Sequence, residues 1–275
     1  MKRAALINDL SGIGRCSLTV ALPIVSAMCF ECAVLPTAIL SNHTGFERFT
    51  FFDFTEHMRE YMDCWEHLGA RFDTVYSGFL GSLEQIDITL EFMERFGCNA
   101  IKLVDPVMGD DGKIYTTYTP EMCEHMRRLI HAANVITPNL TELCVLYGCE
   151  YPTDGITLKE IEKMCRALAH DSLHGIVVTG LENSVVSGIP DGCISNAVYS
   201  DGVFSLVTNK KVPTLYCGTG DVFASVLCGA YATTHDLDAS VKRASDFVEL
   251  CTRDTYQNGG DKRNGVMFED KLNMI

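Results

Sequence analysis

A chain of 275 residues with 47% hydrophobic and 21% charged side chains is long enough for a sizeable core and has the balance of a globular protein, not a disordered one. Its net charge of −14 argues against nucleic acid and anionic membranes as partners, because both are bound through an excess of Lys and Arg. The thirteen cysteines follow an opening without signal-peptide architecture, so they are expected as reduced thiols of a cytoplasmic protein, and the lone CxxC at Cys29 and Cys32 lacks the second pair that zinc needs.

In chain order, the run Arg3–Asn8 reads as a short buried strand ending in a glycine-containing turn, "NDLSGIGR". A helical pattern follows, with Leu18, Ala21, Leu22, Val25 and Met28 near a 3.6 period, and then "ECAVLPTAIL" as a second buried strand. Pro23, Glu31 and Pro36 interrupt this apolar region, so it is no membrane span. Residues 41–54, "SNHTGFERFTFFDF", carry five phenylalanines without helical spacing and are expected as a flap of edge strands outside the main sheet. "DTVYSG" and "NAIKLVDPV" are strands around the helix "EQIDITLEFMERFG"; "NVITPN" and "GIVVTG" are strands around "LKEIEKMCRALAHD". "SNAVYSDGVFSLVTN" reads as a hairpin turning at Asp201-Gly202, and two apolar helices close the pattern. Strands alternating with helices imply a three-layer α/β fold, a mostly parallel sheet with helices on both faces. No repeat or flexible linker divides residues 1–275, which are expected to form one domain.

Ligands of such sheets gather beyond the carboxyl ends of the strands. The polar residues at those ends are Asn8, Asp9 and Ser11; Ser41 to Thr44; Ser77; Asp105 and Asp110; Asn139 and Glu142; Thr179; and Asp221. In "YCGTGDVFASVLCGAYA", Gly218-Thr219-Gly220 lead into a helix, where glycines let backbone N–H groups converge and the helix N-terminus favours an anion. Asp221 there is either a base beside a phosphoryl group or a helix cap. Asp105 and Asp110 in "LVDPVMGDDGKIY" suit a hard cation or serve as turn formers. Asn139 and Glu142, three apart in "ITPNLTEL", suit the same site or a capping box. No Walker motif, convincing dinucleotide fingerprint or GxSxG serine motif is present.

Together these motifs resemble the ribokinase superfamily of small-molecule kinases and, within it, the pyridoxal kinases, over essentially the whole chain. Gly218-Thr219-Gly220-Asp221 is similar to the superfamily's anion hole and catalytic aspartate, "SNHTGF" to the substrate loop of pyridoxal kinases, and "SGFLGS", "DPVMGD" and "TPNLTE" match in order. The resemblance implies ATP-dependent phosphorylation of the hydroxymethyl group of pyridoxal, pyridoxamine or pyridoxine, with Asp221 as the base and the amides of Gly218, Thr219 and Gly220 as the anion hole. It implies that Asp105 and Glu142, with Asp110 and Asn139, organise Mg2+ and the ATP phosphates, and that Thr179 lines the nucleotide pocket. Thr44 and Ser11 or Asn8 would hold the ring's polar groups, and Phe79 its face. A homodimer and a monovalent cation such as K+ are further expectations. Two departures bear on the ring: Asn8-Asp9 stands where pyridoxal kinases commonly carry Ser-His, and Phe79 where tyrosine is common. "DLSGIG" leans toward the hydroxymethylpyrimidine kinases, the rival substrate class; a silent nucleotide- or pyridoxal-binding module is a third reading. Cys217, next to the anion hole, invites comparison with a thiol that traps an aldehyde, against the plain reading of inert packing.

Overall fold

Period-two alternation along the first strand builds both faces of the molecule at once. Ala5 and Ile7 pack into one apolar core, Ala4 and Leu6 into a second on the other side of the sheet. The computed structural model describes residues 1–275, in the order β1 (Lys2–Ser11), α1 (Leu18–Ala27), β2 (Phe30–Leu40), β3 (Phe51–Asp53), α2 (Thr55–His67), β4 (Thr74–Ser77), α3 (Leu83–Phe96), β5 (Ile101–Val104), β6 (Gly109–Asp110), β7 (Lys113–Ile114), α4 (Pro120–Ala132), β8 (Val135–Ile136), α5 (Leu140–Tyr147), β9 (Ile156–Thr157), α6 (Leu158–Leu168), β10 (Gly175–Glu182), β11 (Val186–Ser187), β12 (Cys193–Ser200), β13 (Val203–Lys210), α7 (Thr219–Thr234) and α8 (Leu237–Gln257). Nine strands form the main sheet in the order β13-β12-β10-β8-β5-β4-β1-β2-β3. Pairing is parallel from β2 to β10 and antiparallel at both edges. Helices α2 to α6 bury their apolar stripes in one core, and α1, α7 and α8 in the other. The expected three-layer α/β architecture is present, and no helix is long and apolar enough to cross a membrane.

Three differences from the sequence reading have physical causes. β1 does not end at Asn8 but runs to Ser11, through a register shift between Asn8 and Leu10 opposite Pro36, a residue with no N–H for the ladder. The aromatic segment is not wholly a flap outside the sheet: Phe51–Asp53 pair with Ala38–Leu40 as its ninth strand, because β2 offers a free edge there. Helices α2 and α4 lie outside the expected set, although Met122, Met126, Leu129 and Ile130 bury a helical stripe of α4. The hairpin stands as expected, with Asp201 and Gly202 at φ 49° and 86° in a two-residue turn.

Candidate active site

Helix α7 begins without a side-chain cap. Its N-cap is Gly218, at φ 74°, and a Cβ there would lie 1.9 Å from the Arg15 carbonyl oxygen, so both the left-handed turn and the close backbone approach require glycine. Thr219, Gly220 and Asp221 form the first turn, whose N–H groups the helix itself cannot pair. Space above Gly220 is open: a Cβ there would meet nothing within 4 Å. Asp221 is therefore in the third helical position and does not cap the helix. Of the two roles its position in the sequence allowed, the cap is removed.

Four carboxylates follow one another across the strand ends. Asp9, at the end of β1, is nearly buried and accepts from the hydroxyls of Ser11 at 2.9 Å and Ser17 at 2.5 Å. Asp221 is densely surrounded by protein yet still reached by water; burial pushes its carboxyl up to about 6, the nearby charge of Asp9 adds to this, and the Ser17 amide and Asn8 side chain pull against it. Asp105, just past β5, is pushed up to about 7 by burial first and by Asp221 second, against a 3.1 Å hydrogen bond donated by Thr137. Glu142 is raised well above its ordinary range, again by burial and then by Asp105. Burial is the leading cause at each of the four, and His43 acts on Asp9.

On the β5–β8 side, Asn139 caps α5 and forms a true capping box with Glu142, whose Oε2 accepts from the Asn139 N–H at 2.8 Å. Glu142 Oε1 accepts from the Met108 N–H at 3.0 Å, and Asn139 Nδ2 donates to the Gly109 carbonyl at 2.7 Å. These bonds tie the "DPVMGD" loop to α5. They also commit both oxygens of Glu142 to backbone amides, whereas Asp105 keeps an oxygen free of hydrogen bonds. Asp110 is exposed on the β6–β7 hairpin, and Thr179 sits beside Asn139 through a backbone bridge.

The expected substrate residues divide. Asn8 is buried; its Oδ1 accepts from the N–H groups of Asp9 and Phe79, while its Nδ2 is left without a hydrogen-bond partner near Asp221 and Gly78. Of the Asn8-Asp9 pair, only Asn8 carries a side-chain donor, and that donor is buried. Ser11 is fully buried, and its hydroxyl donates to Asp9. Phe79 lies half-buried beside Asn8, and Thr44 is exposed in the loop after β2. That loop is held by His43, whose Nε2 lies 2.6 Å from the Arg263 carbonyl and whose Nδ1 accepts from the Gly45 N–H at 3.1 Å. Cys217 is exposed, so it is not plain packing; burial of its sulfur and the charges of Asp221 and Asp261 push its thiol up, toward the less reactive protonated form.

A divalent cation can be tested against these residues. No three metal-ligating side chains converge, so the chain offers no closed cage. It does offer unneutralised carboxylates at Asp105 and Asp221 beside open amides, which suits Mg2+ held mainly by water and phosphate oxygens. Ser17, Thr137 and Tyr115 were not legible as site residues. Tyr115 lies in the field of Asp110, Glu142, Asp105 and Asp221, and burial and these charges raise its phenol. Their only signal was nearness to strand ends and motifs.

With this geometry in view, a family model described as phosphomethylpyrimidine kinase matches residues 27–266. A pyridoxine/pyridoxal/pyridoxamine kinase of Bordetella avium is 27% identical, over 87% of this chain and 82% of its own length. A crystal structure from Bacteroides thetaiotaomicron, of a candidate phosphomethylpyrimidine kinase crystallised with pyridoxal, is 38% identical with a TM-score of 0.91, covering 98% of this chain and 94% of that one. Pyridoxal kinase from Lactobacillus plantarum is 28% identical with a TM-score of 0.90, over 100% and 96% of the two chains.

Proposed function

The chain belongs to the phosphomethylpyrimidine kinase family and is a kinase of the ribokinase superfamily, and from that premise we propose that residues 1–275 act as one domain that transfers the γ-phosphoryl group of ATP to the 5′-hydroxymethyl group of pyridoxal, pyridoxamine or pyridoxine. The observation that carries the reading is the uncapped N-terminus of α7, with Asp221 inside its first turn and open space above Gly220. The pyridoxal found with the Bacteroides relative supports the ring class.

In this reading Asp221 takes the proton of the substrate hydroxyl as the new O–P bond forms and the bond to the β-phosphate breaks, releasing ADP. The amides of the first turn, set by Gly218 and running through Thr219 and Gly220, face the charge that grows on the transferred group. Asn8, Thr44 and Phe79 surround the ring, and Thr179, Asn139 and Asp110 border the nucleotide. Mg2+ would neutralise phosphate charge; Asp105 would hold it, with Glu142 fixing the loop beside it. A K+ requirement and a homodimer are part of the proposal, checked by turnover in K+ against Na+ and by light scattering.

A second reading has its own observations: the family description and the "DLSGIG" loop favour a hydroxymethylpyrimidine as the acceptor. ATP-dependent turnover of the three B6 vitamers and hydroxymethylpyrimidine, side by side with Mg2+, tests both. A tenfold preference for the pyrimidine would move the assignment to that class, and ATP binding without turnover of any alcohol would leave a silent binding module.

A further inference from the structure

A serine before a helix ordinarily lends its hydroxyl oxygen to a first-turn N–H, a bond worth about 1 kcal/mol. Ser82, Thr119, Asn139, Thr157 and Asp236 all do this at the helices they precede. Ser17, the N-cap of α1, does not. Its carbonyl still accepts from the N–H groups of Val20 and Ala21, so the helix starts there, but the side chain has turned away. It donates instead to Asp9 Oδ1 at 2.5 Å, and its backbone sits at φ 52°, ψ −130°, a conformation that non-glycine residues rarely adopt. A missing cap and a strained serine in one residue require something that holds them.

Asp9 is that holder. Its second oxygen accepts from Ser11 at 2.9 Å, so an almost fully buried carboxylate is pinned at both ends by hydroxyls. An ionised carboxylate accepts at both oxygens and presents no donor, which is what two donating hydroxyls need. The segment that Ser17 closes lies against α7: the Arg15 carbonyl and the Cys16 Cα press on Gly218, the residue that opens the turn bearing Asp221.

The geometry points to Asp9 and Ser17 as a positioning pair for Asp221: Asp9 clamps the Ser17 hydroxyl, the clamp holds Ser17 in its positive-φ conformation, and that conformation seats Arg15 and Cys16 against Gly218, fixing the turn whose carboxylate receives the substrate proton. This rests on the reading of Asp221 as the base and adds to it the parts that aim it. Asp9 and Ser17 touch no reacting atom in this scheme.

The test uses the full chain with ATP, Mg2+ and pyridoxal, comparing Asp9→Ala, Asp9→Asn, Ser17→Gly and Asp221→Asn, with the thermal midpoint of each. Misaiming a reacting group by about 1 Å costs on the order of 10²-fold; Asp9→Ala and Ser17→Gly are expected to lower kcat by ~10–100-fold with KM for both substrates within about twofold. Asp9→Asn, which keeps an acceptor for Ser17, is expected to recover most of the loss. Ser17→Gly is the discriminating variant. Glycine accepts the positive φ without strain, which offsets the hydrogen bond that buried Asp9 loses, so its thermal midpoint is expected to stay near the parent's, while the unclamped segment makes it slow. Unchanged kcat in Ser17→Gly and Asp9→Ala, or Asp9→Asn as impaired as Asp9→Ala, would overturn the positioning role while an inactive Asp221→Asn leaves the base in place. Full turnover in Asp221→Asn would remove the base assignment itself.

Discussion

Two helices, α5 and α7, start at the same end of the sheet with a carboxylate at the same third position, and they use it in opposite ways. At α5, Asn139 closes the first turn and Glu142 reaches back to the Asn139 N–H, so the helix end is sealed by its own side chains. At α7, Gly218 has no side chain to offer, and Asp221, one methylene shorter than Glu142, makes no such bond back to its own helix. A sealed helix end holds a loop in place. An open one keeps its amides and its carboxylate for something that arrives. The contrast separates a carboxylate spent on its own helix end from one that is not, where sequence spacing alone makes them alike.

The largest expected effect lies on the open side. Asp221→Asn should fold with an unchanged thermal midpoint and lose turnover by ~10²–10⁴-fold if proton acceptance is its main contribution; steady-state kinetics with pyridoxal checks it, and near-parental turnover would make the two helix ends equivalent. Gly218→Ala should come next. It meets both a positive φ and the Arg15 carbonyl, so a stability loss of at least ~1–3 kcal/mol is expected in urea denaturation, together with loss of activity. Gly220→Ala, with open space above it, should keep parental stability and lose catalysis, by roughly tenfold if the methyl intrudes on a phosphoryl group that the first-turn amides hold.

Protonation should be felt at both ends, since burial raises Asp221, Asp105 and, at the sealed end, Glu142. A base must be ionised, so kcat/KM should rise with pH through about 6, the value to which burial lifts Asp221. Folding stability should run the other way. Asp221 and Asp105 hold protons more tightly folded than unfolded, so their stabilising contribution is full below the unfolded value near 3.8 and is lost as pH rises through about 6 to 7. Thermal midpoints without nucleotide or Mg2+, measured from pH 4 to 8, check the sign. The smallest effect belongs to the sealed end: Asn139→Ala should cost about 1 kcal/mol of stability for the lost cap, with a loss of turnover far below that of Asp221→Asn.

Much of this was legible in advance. Apolar runs of four to eight residues alternating with helical periods announced the parallel sheet, and "GTGD", "SNHTGF" and "TPNLTE" marked the strand ends where the polar residues gather. What stayed hidden was pairing between distant segments. Nothing local shows that Phe51–Asp53 joins the sheet edge, because strand pairing depends on which edge the fold leaves free. Nothing local shows that Ser11 turns inward, since the bulge opposite Pro36 decides which way the end of β1 faces.

By itself, then, the sequence determined the order of elements, the two apolar faces of the sheet and the residues delivered to its carboxyl ends, because periodicity and turn chemistry act over a few residues. The tertiary structure alone decided which carboxylates remain free. Glu142 finds its backbone partners in its own helix turn and in the Met108 loop, and Asp9 finds its hydroxyls at Ser11 and Ser17. The helix that carries Asp221 instead begins at a glycine pressed against Arg15, some two hundred residues earlier in the chain. A carboxylate's chemistry depends on what already occupies its oxygens, and that is settled by contacts between segments far apart in the chain.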